Sequence, residues 1–232
     1  DRREAAEDEE VVPFDHRSSR RRGDHPPHSF RRSFQFRGLG HGAYLGEAAA
    51  FQQPSRTNLT RTIDLNADLG EHEGDGASSD MAMLDVVSSA SIACGVHAGS
   101  PSVMEMTVKA ALERGVTIGA HPSYPDRDGF GRREIEMPVE QLMQSVRDQI
   151  LALEHTCAMN DARLAYVKPH GALYNRAARD SALASQLAGV VLGINPRLTM
   201  LALYGSELEK ESRAAGLHVA CEAFIDRAYM SD

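Results

Sequence analysis

The chain has 232 residues, a hydrophobic fraction of 42% and a formal net charge of −8. That length supports one medium domain with a sizeable core, and the acidic balance argues against a general nucleic-acid binder. No apolar run approaches the roughly 20 residues that a membrane span requires. The three cysteines, Cys94, Cys157 and Cys221, lie far apart and form no CxxC pair. No disulfide framework is expected, and a reducing compartment, the cytoplasm, is the expected location.

The composition breaks near residue 61. Residues 1–61 carry eleven Arg, no Lys and nine Asp or Glu, a net +2, whereas residues 62–232 carry fourteen Lys or Arg and twenty-four Asp or Glu, a net −10. The first segment, with stretches such as RSSRRRGDHPPHSFRRS, has no sustained apolar period. Its Arg, Ser, Gly and Pro content predicts disorder. Six acidic residues among the first ten argue against an organelle transit peptide, which is poor in acids. The chain opens at Asp1 rather than Met and stops three residues after Tyr229. The expectation is a fragment at both ends.

From Thr62 a rhythm of strands and helices begins. TIDLNA (62–67) reads as a strand. SSDMAMLDVVSS (78–89) reads as a helix, with Ser78 or Ser79 as N-cap and Asp80 in its first turn. SIAC (91–94) is a second strand. Ser100 and Pro101 then open a helix that runs to Arg114 and stops at Gly115. Ser caps it, Pro sits where a missing N–H is harmless, and Gly suits the left-handed position after the last turn. VTIGA (116–120) is a third strand. Pro138 opens a long helix whose Val139, Leu142, Met143, Val146, Ile150, Leu153 and Cys157 recur at spacings of three and four. LAYVK (164–168) is a fourth strand, and DSALASQLAGVVLG (180–193) repeats the helical stripe at Leu183, Leu187, Val190 and Val191. LTMLAL (198–203) is a fifth strand, SELEKESRAAG (206–216) a helix with a Gly stop, and LHVACEAF (217–224) a sixth strand. Alternating strands and helices imply βαβ units and a parallel sheet, either doubly wound or closed toward a barrel.

Reactive side chains follow every strand. Asn66, Asp68, Glu71 and His72 come at the first, and His97 in CGVHAGS at the second. His121, Tyr124 and Arg132 lie in GAHPSYPDRDGFGRRE after the third; Lys168, His170, Tyr174 and Asn175 lie in KPHGALYN after the fourth. Tyr204 and Ser206 follow the fifth; Glu222, Asp226, Arg227 and Tyr229 lie in or after the sixth. The opposite turns, ERGV, NDAR, INPR and AAGL, are bland. A parallel barrel opens all carboxyl strand ends on one face, whereas a doubly wound sheet concentrates ligands at one switch point. A spread over six loops favours the barrel. Asp68 and Glu71 offer a general base or a turn cap. His97 and His121 sit in Gly-rich loops, suited to proton transfer or to a structural role. Lys168 is one of three lysines, with Lys109 and Lys210, and offers a charge-stabilising ammonium or a salt-bridged strand end. His155 and His218 read as structural, and Cys94 and Cys221 as small buried residues. Asp68, Glu71, His97, His121 and His170 offer an N/O donor set for zinc or manganese, with Asp68, His97 and His121 the leading metal candidates. No HExxH or other tight ligand spacing accompanies them. There is neither a GxxxxGK[ST] phosphate loop nor a GxSxG elbow.

Five segments in order, IDLNADLGE, SSASIACGVHAGSP, GVTIGAHPSYPDRDGFGRRE, YVKPHGALYN and FIDRAY, strongly resemble the LamB/YcsF family, whose bacterial members form the A component of the multi-subunit 5-oxoprolinase. The resemblance covers residues 62–232. It implies a (β/α) barrel of the glycoside hydrolase/deacetylase type, six strands being visible of an expected seven. It also implies ATP-dependent opening of the lactam 5-oxo-L-proline to L-glutamate, with ATP handled by partner subunits B and C. The implied catalytic positions are Asp68, Glu71, His97, His121, Lys168 and His170. Asp226 and Arg227 also match family motif positions, and Asn66, Tyr124, Arg132, Tyr174, Asn175, Asp226 and Arg227 are the expected substrate contacts. Ala67 stands where the family often has Cys, which speaks against an essential nucleophilic thiol there. Family members continue past the FIDRAY segment, so the C-terminal part of the barrel is expected to be missing. Two other readings are a metal-dependent carbohydrate or amide deacetylase on a similar barrel, and an inactive fragment or binding subunit.

Overall fold

Ser100 and Gly115 bracket a helix as their side chains require: the Ser100 hydroxyl accepts from Val103 N, and Gly115 takes φ 67°. The same logic recurs at Asp180, which caps through Leu183 N, and at Ser206, which caps through Glu209 N. The computed structural model describes residues 63–72 and 77–225, all within one unit, Asn58–Asp232. The expected disorder of residues 1–61, and Asp226, Arg227 and Tyr229, lie outside the described residues. In chain order the elements are β1 (Asn66–Leu69), α1 (Ala77–Met83), β2 (Ser89–Ala93), α2 (Pro101–Arg114), β3 (Thr117–His121), α3 (Val139–Met159) and β4 (Leu164–Val167). They continue with α4 (Gly171–Ala177), α5 (Ser181–Ile194), β5 (Thr199–Leu203), α6 (Glu207–Ala214) and β6 (His218–Glu222).

The strands form a single sheet in the order β1-β2-β3-β4-β5-β6, every neighbouring pair parallel. A doubly wound sheet reverses direction partway. Here each crossover steps the same way, which is the half-barrel solution. Alternation along the strands then sorts side chains onto two faces. Ile92, Ile118, Ala120, Val167, Met200 and Ala202 point to one face and join the core with the buried stripes of α2, α3 and α5. The other face is polar: Asn66 donates to Ser89 Oγ (2.8 Å) and to the Tyr166 hydroxyl (2.7 Å), and Ser91 Oγ donates to Asn66 Oδ1 (3.0 Å). Among the described residues no helix is long and apolar enough to cross a membrane.

Several boundaries differ from the sequence expectations. β1 starts at Asn66, because Ile63 and Leu65 are exposed and supply no buried alternation. The Leu65 carbonyl instead accepts from Ser88 N and Ser89 N. α1 begins at Ala77, so Ser78 and Ser79 lie inside its first turn. Asp80 is buried and accepts from Gly70 N at 2.8 Å, tying β1 to the helix. α4 has no counterpart in the sequence reading. Its seven residues are too few for a periodic stripe, and it opens on Gly171 at φ 53°. Cys221 is exposed on β6, and His155 and His218 are exposed as well, whereas Cys94 and Cys157 are buried. Burial pushes the Cys94 thiol up to about 12 and that of Cys157 up to about 11, so neither is a ready thiolate.

Gly119 carries a packing constraint. A Cβ there would overlap the Tyr166 ring, which crosses β3 to reach Asn66 and Ser91. Overpacking of a tight interior costs about 1–3 kcal/mol. Gly119→Ala should therefore lower the urea-unfolding midpoint, corresponding to about 2 kcal/mol, with an unchanged slope; an unaltered midpoint would show that Tyr166 has room to move.

Candidate active site

The polar face of the sheet ends in a ring of chemistry. Asp68 at the end of β1, His121 at the end of β3 and Lys168 just past β4 share one face, and His170 follows two residues on. The strand exits are laced together: Lys168 N donates to Ala120 O (2.9 Å), His170 N to Pro122 O (2.8 Å) and Ala172 N to Gly131 O (2.9 Å). The loops after β3 and β4 therefore hold each other in register.

Lys168 is buried, and its Nζ lies 3.0 Å from Asp68 Oδ1, 3.4 Å from Glu222 Oε2 and 3.3 Å from Asn66 Oδ1. Asp68 Oδ2 lies 3.3 Å from His121 Nε2. Burial raises the Asp68 carboxyl, but the charge and hydrogen bonding of His121 and Lys168 outweigh it and hold the group well below the usual carboxylate range. His121 Nδ1 bonds the Lys168 carbonyl at 2.7 Å, and His170 Nε2 bonds the Phe130 carbonyl at 2.8 Å. The inner nitrogens, His121 Nε2 and His170 Nδ1, stand 2.9 Å apart. His97 is 1% exposed and stacks on His170 with ring centroids 4.0 Å apart and planes 6° from parallel. Its Nδ1 meets Ser123 Oγ at 2.9 Å and its Nε2 meets Glu71 Oε1 at 3.4 Å. Glu71 Oε1 also lies 3.6 Å from His170 Nδ1. Burial lowers His97, and burial together with the neighbouring His121 and His97 pushes His170 down to about 4, so these two rings are neutral near pH 7.

A cavity of about 450 Å³ opens on this ring. Of the six catalytic candidates, Asp68, His121, Lys168 and His170 line it, while His97 and Glu71 sit behind them. Of the candidate substrate contacts, Arg132, Tyr174 and Asn175 line it. Asn66 instead braces the site from below, with both ends of its amide engaged. Tyr124 is fully buried and its hydroxyl accepts from Arg176 at 3.2 Å, because the chain turns its side chain back to the core after His121. Ser206 serves as the α6 cap, and Tyr204 is exposed. Asp226 and Arg227 lie outside the described residues.

For metal binding, the candidate trio Asp68, His97 and His121 is not the grouping that converges. Donor atoms gather instead as Asp68, His121 and His170, and as Glu71, His97 and His170, each set within 4.8 Å. Phe130, Ser123 and Gln149 also serve the site, and the sequence reading missed all three. Gln149 Oε1 accepts from Ser123 N and its Nε2 donates to Ser123 O, both at 2.9 Å, so a polar side chain inside the α3 apolar stripe was the available signal. Phe130 sits at φ 56°, rare for a bulky residue, and no sequence pattern announces it.

The sequence matches the model of the LamB/YcsF family over residues 63–232. The chain belongs to the LamB/YcsF family. Among curated relatives, a protein named as the A component of 5-oxoprolinase, from Acinetobacter baumannii (strain ACICU), is 50% identical over 171 residues, which cover 73% of this chain and 67% of that protein. One of the same name from Methylococcus capsulatus is 47% identical over 175 residues, covering 75% and 67% respectively. The crystal structure of a lactam utilization protein from Thermus thermophilus matches with a TM-score of 0.70 and 43% identity, over 73% of this chain and 69% of that one. The chain thus spans about two thirds of these LamB/YcsF relatives.

Removing the ammonium isolates two carboxylates. Lys168→Met should destabilise the fold by about 3 kcal/mol, the low end for a broken buried pair because Asp68 is partly wetted. It should also raise the Asp68 pKa, read by carboxyl carbon NMR. A variant with unchanged stability and titration would remove Lys168 from the account of the site.

Proposed function

We propose that the chain is the lactam-opening subunit of an ATP-dependent 5-oxoprolinase, converting 5-oxo-L-proline to L-glutamate. The observation that carries this reading is the Asp68 carboxylate, held by Lys168 and His121 on the wall of a cavity of about 450 Å³. That volume suits a ligand of a few heavy atoms with its water. The names and identity of the relatives support the same substrate class. The chain has no Gly-rich phosphate loop, so ATP is assigned to partner subunits B and C. The proposed setting is the cytoplasm, where its three thiols stay reduced.

The lactam carbonyl is a poor electrophile because its nitrogen donates into it. Phosphorylation of its oxygen by ATP, on the partner subunits, removes that resonance. Asp68, His121 and His170 then fix and activate the attacking water. The water's proton passes by way of His170 Nδ1 to Glu71, which His97 orients, and returns to the ring nitrogen as the C–N bond breaks. Lys168 stabilises the negative charge on the tetrahedral intermediate. Ring opening leaves an acyl phosphate, which a second water hydrolyses to glutamate and phosphate. Arg132, which lines the cavity with Tyr174 and Asn175, pairs with the substrate carboxylate in this reading, and Asp226 and Arg227 are further proposed contacts.

A second reading, a metal-dependent amide or carbohydrate deacetylase, is favoured by the convergence of Asp68, His121 and His170. Activity on an acetylated sugar without ATP distinguishes it. With partner subunits, ATP and 5-oxoproline, Asp68→Asn and His121→Ala should each lower glutamate formation at least about 100-fold. Full activity in both would refute the site assignment. Arg132→Met should raise KM about 10-fold or more with a smaller change in kcat; a pure kcat loss would place Arg132 at the chemical step instead.

A further inference from the structure

His121 and His170 are each committed, through one ring nitrogen, to an acceptor that has no proton to give. His121 Nδ1 faces the Lys168 carbonyl and His170 Nε2 faces the Phe130 carbonyl. A carbonyl oxygen only accepts, so both nitrogens are N–H donors and both tautomers are fixed. The remaining nitrogens, His121 Nε2 and His170 Nδ1, are then the ones left to accept a proton or a cation. They point at each other across 2.9 Å. Two lone pairs at that separation repel unless a positive species accepts both.

We propose that Asp68 Oδ2, His121 Nε2 and His170 Nδ1 bind a divalent transition-metal cation of the zinc or manganese class on the cavity wall. Asp68 divides its two oxygens between duties: Oδ1 faces Lys168 at 3.0 Å, and Oδ2 faces His121 Nε2 at 3.3 Å. Two imidazole nitrogens bound to zinc, each about 2.1 Å from the ion, stand about 3.0 to 3.4 Å apart at right-angled to tetrahedral geometry. The observed pair is already close to that spacing. Carbonyl oxygens behind ligating imidazoles are the usual means of fixing their orientation. Formal charge points the same way. Asp68 and Glu222 share the single ammonium of Lys168, and Glu71 adds a third carboxylate against His170, so a dication balances the excess where a shared proton leaves half of it. All three donors line the cavity, so the ion would keep coordination positions open to a ligand, where it acts as a Lewis acid. Glu71 and His97 form a second carboxylate–imidazole pair that shares His170 from the buried side.

The proposal concerns the water-activating centre of the reading above but stands on donor geometry alone. Its test is calorimetric titration of the full chain with zinc chloride after dialysis against EDTA, repeated with cobalt(II) followed by visible absorption. The wild type should bind one more equivalent than His121→Ala or His170→Ala, a difference that discounts any zinc held by His16, His25, His28 and His41. His155→Ala and His218→Ala, which alter exposed rings outside the cluster, should bind as the wild type does. Asp68→Asn, nearly isosteric, should keep the far-ultraviolet circular dichroism of the wild type and weaken the site about 10- to 100-fold. Equal stoichiometry and affinity in wild type, His121→Ala and Asp68→Asn would overturn the proposal and assign the space between the rings to a shared proton. Zinc binding without glutamate formation sinks the lactam reading alone, and glutamate formation with no such zinc difference sinks the cation site alone.

Discussion

The Lys168 ammonium is buried beside β4, yet its anionic partners come from the two outermost strands in the described sheet, Asp68 on β1 and Glu222 on β6. An ammonium out of water is tolerated only when it is paired and hydrogen-bonded. Both carboxylates can reach it only if the sheet curls until its ends approach the polar side of β4. Curvature and charge compensation are therefore one constraint. The polar layer beneath follows from it, since a curled sheet narrows its inner face. Gly119, Ser89 and Ser91 are small there, and the Tyr166 ring fills the space they leave while its hydroxyl meets Asn66 and Ser91.

The loop after β3 supplies the second requirement, acceptors at the backs of the imidazoles. Asp126 organises it: the carboxylate accepts from Gly129 N at 3.0 Å and Arg133 N at 3.3 Å and pairs with the Arg133 guanidinium. Arg127 fastens the loop to the β2 exit through Gly95 O and Gly99 O, at 3.1 and 2.9 Å. This frame holds Phe130 in the left-handed region, at a cost of about 1–2 kcal/mol, and so aims its carbonyl at His170. Gly131 follows at φ 65° and faces His170 and His97, where a side chain would collide with the rings. The loop is long because it must turn, brace itself and present both a carbonyl and Ser123 to two different histidines.

Much of this was legible in the chain. Helix limits with explicit caps, Ser100 to Gly115 above all, were readable because capping is local chemistry. The long α3 stripe was readable because burial on a helix leaves a period. The barrel-like order followed from where reactive residues fell, since each came at a strand exit. What escaped depends on tertiary contact. α4 is specified by its docking on Gly131 and not by its own pattern. Tyr124, expected as a substrate contact, lies in the core. Asn66 looked like a ligand and is a brace. The pairing of His170 with both donor sets arises from two loops meeting, which spacing along one chain does not encode.

The committed outer nitrogens have a consequence for the whole cluster. His121 and His170 cannot change tautomer without abandoning a carbonyl, so protonation or ligand binding is confined to the inner nitrogens. These form a continuous row with the carboxylates: Asp68 Oδ2, His121 Nε2, His170 Nδ1, Glu71 Oε1 and His97 Nε2, with neighbouring separations from 2.9 to 3.6 Å. A positive charge placed anywhere in the row alters the affinity of every other member for the next. Substitutions within it should be non-additive for the same reason. Rigid backs and a shared front turn five separate side chains into one coupled cluster.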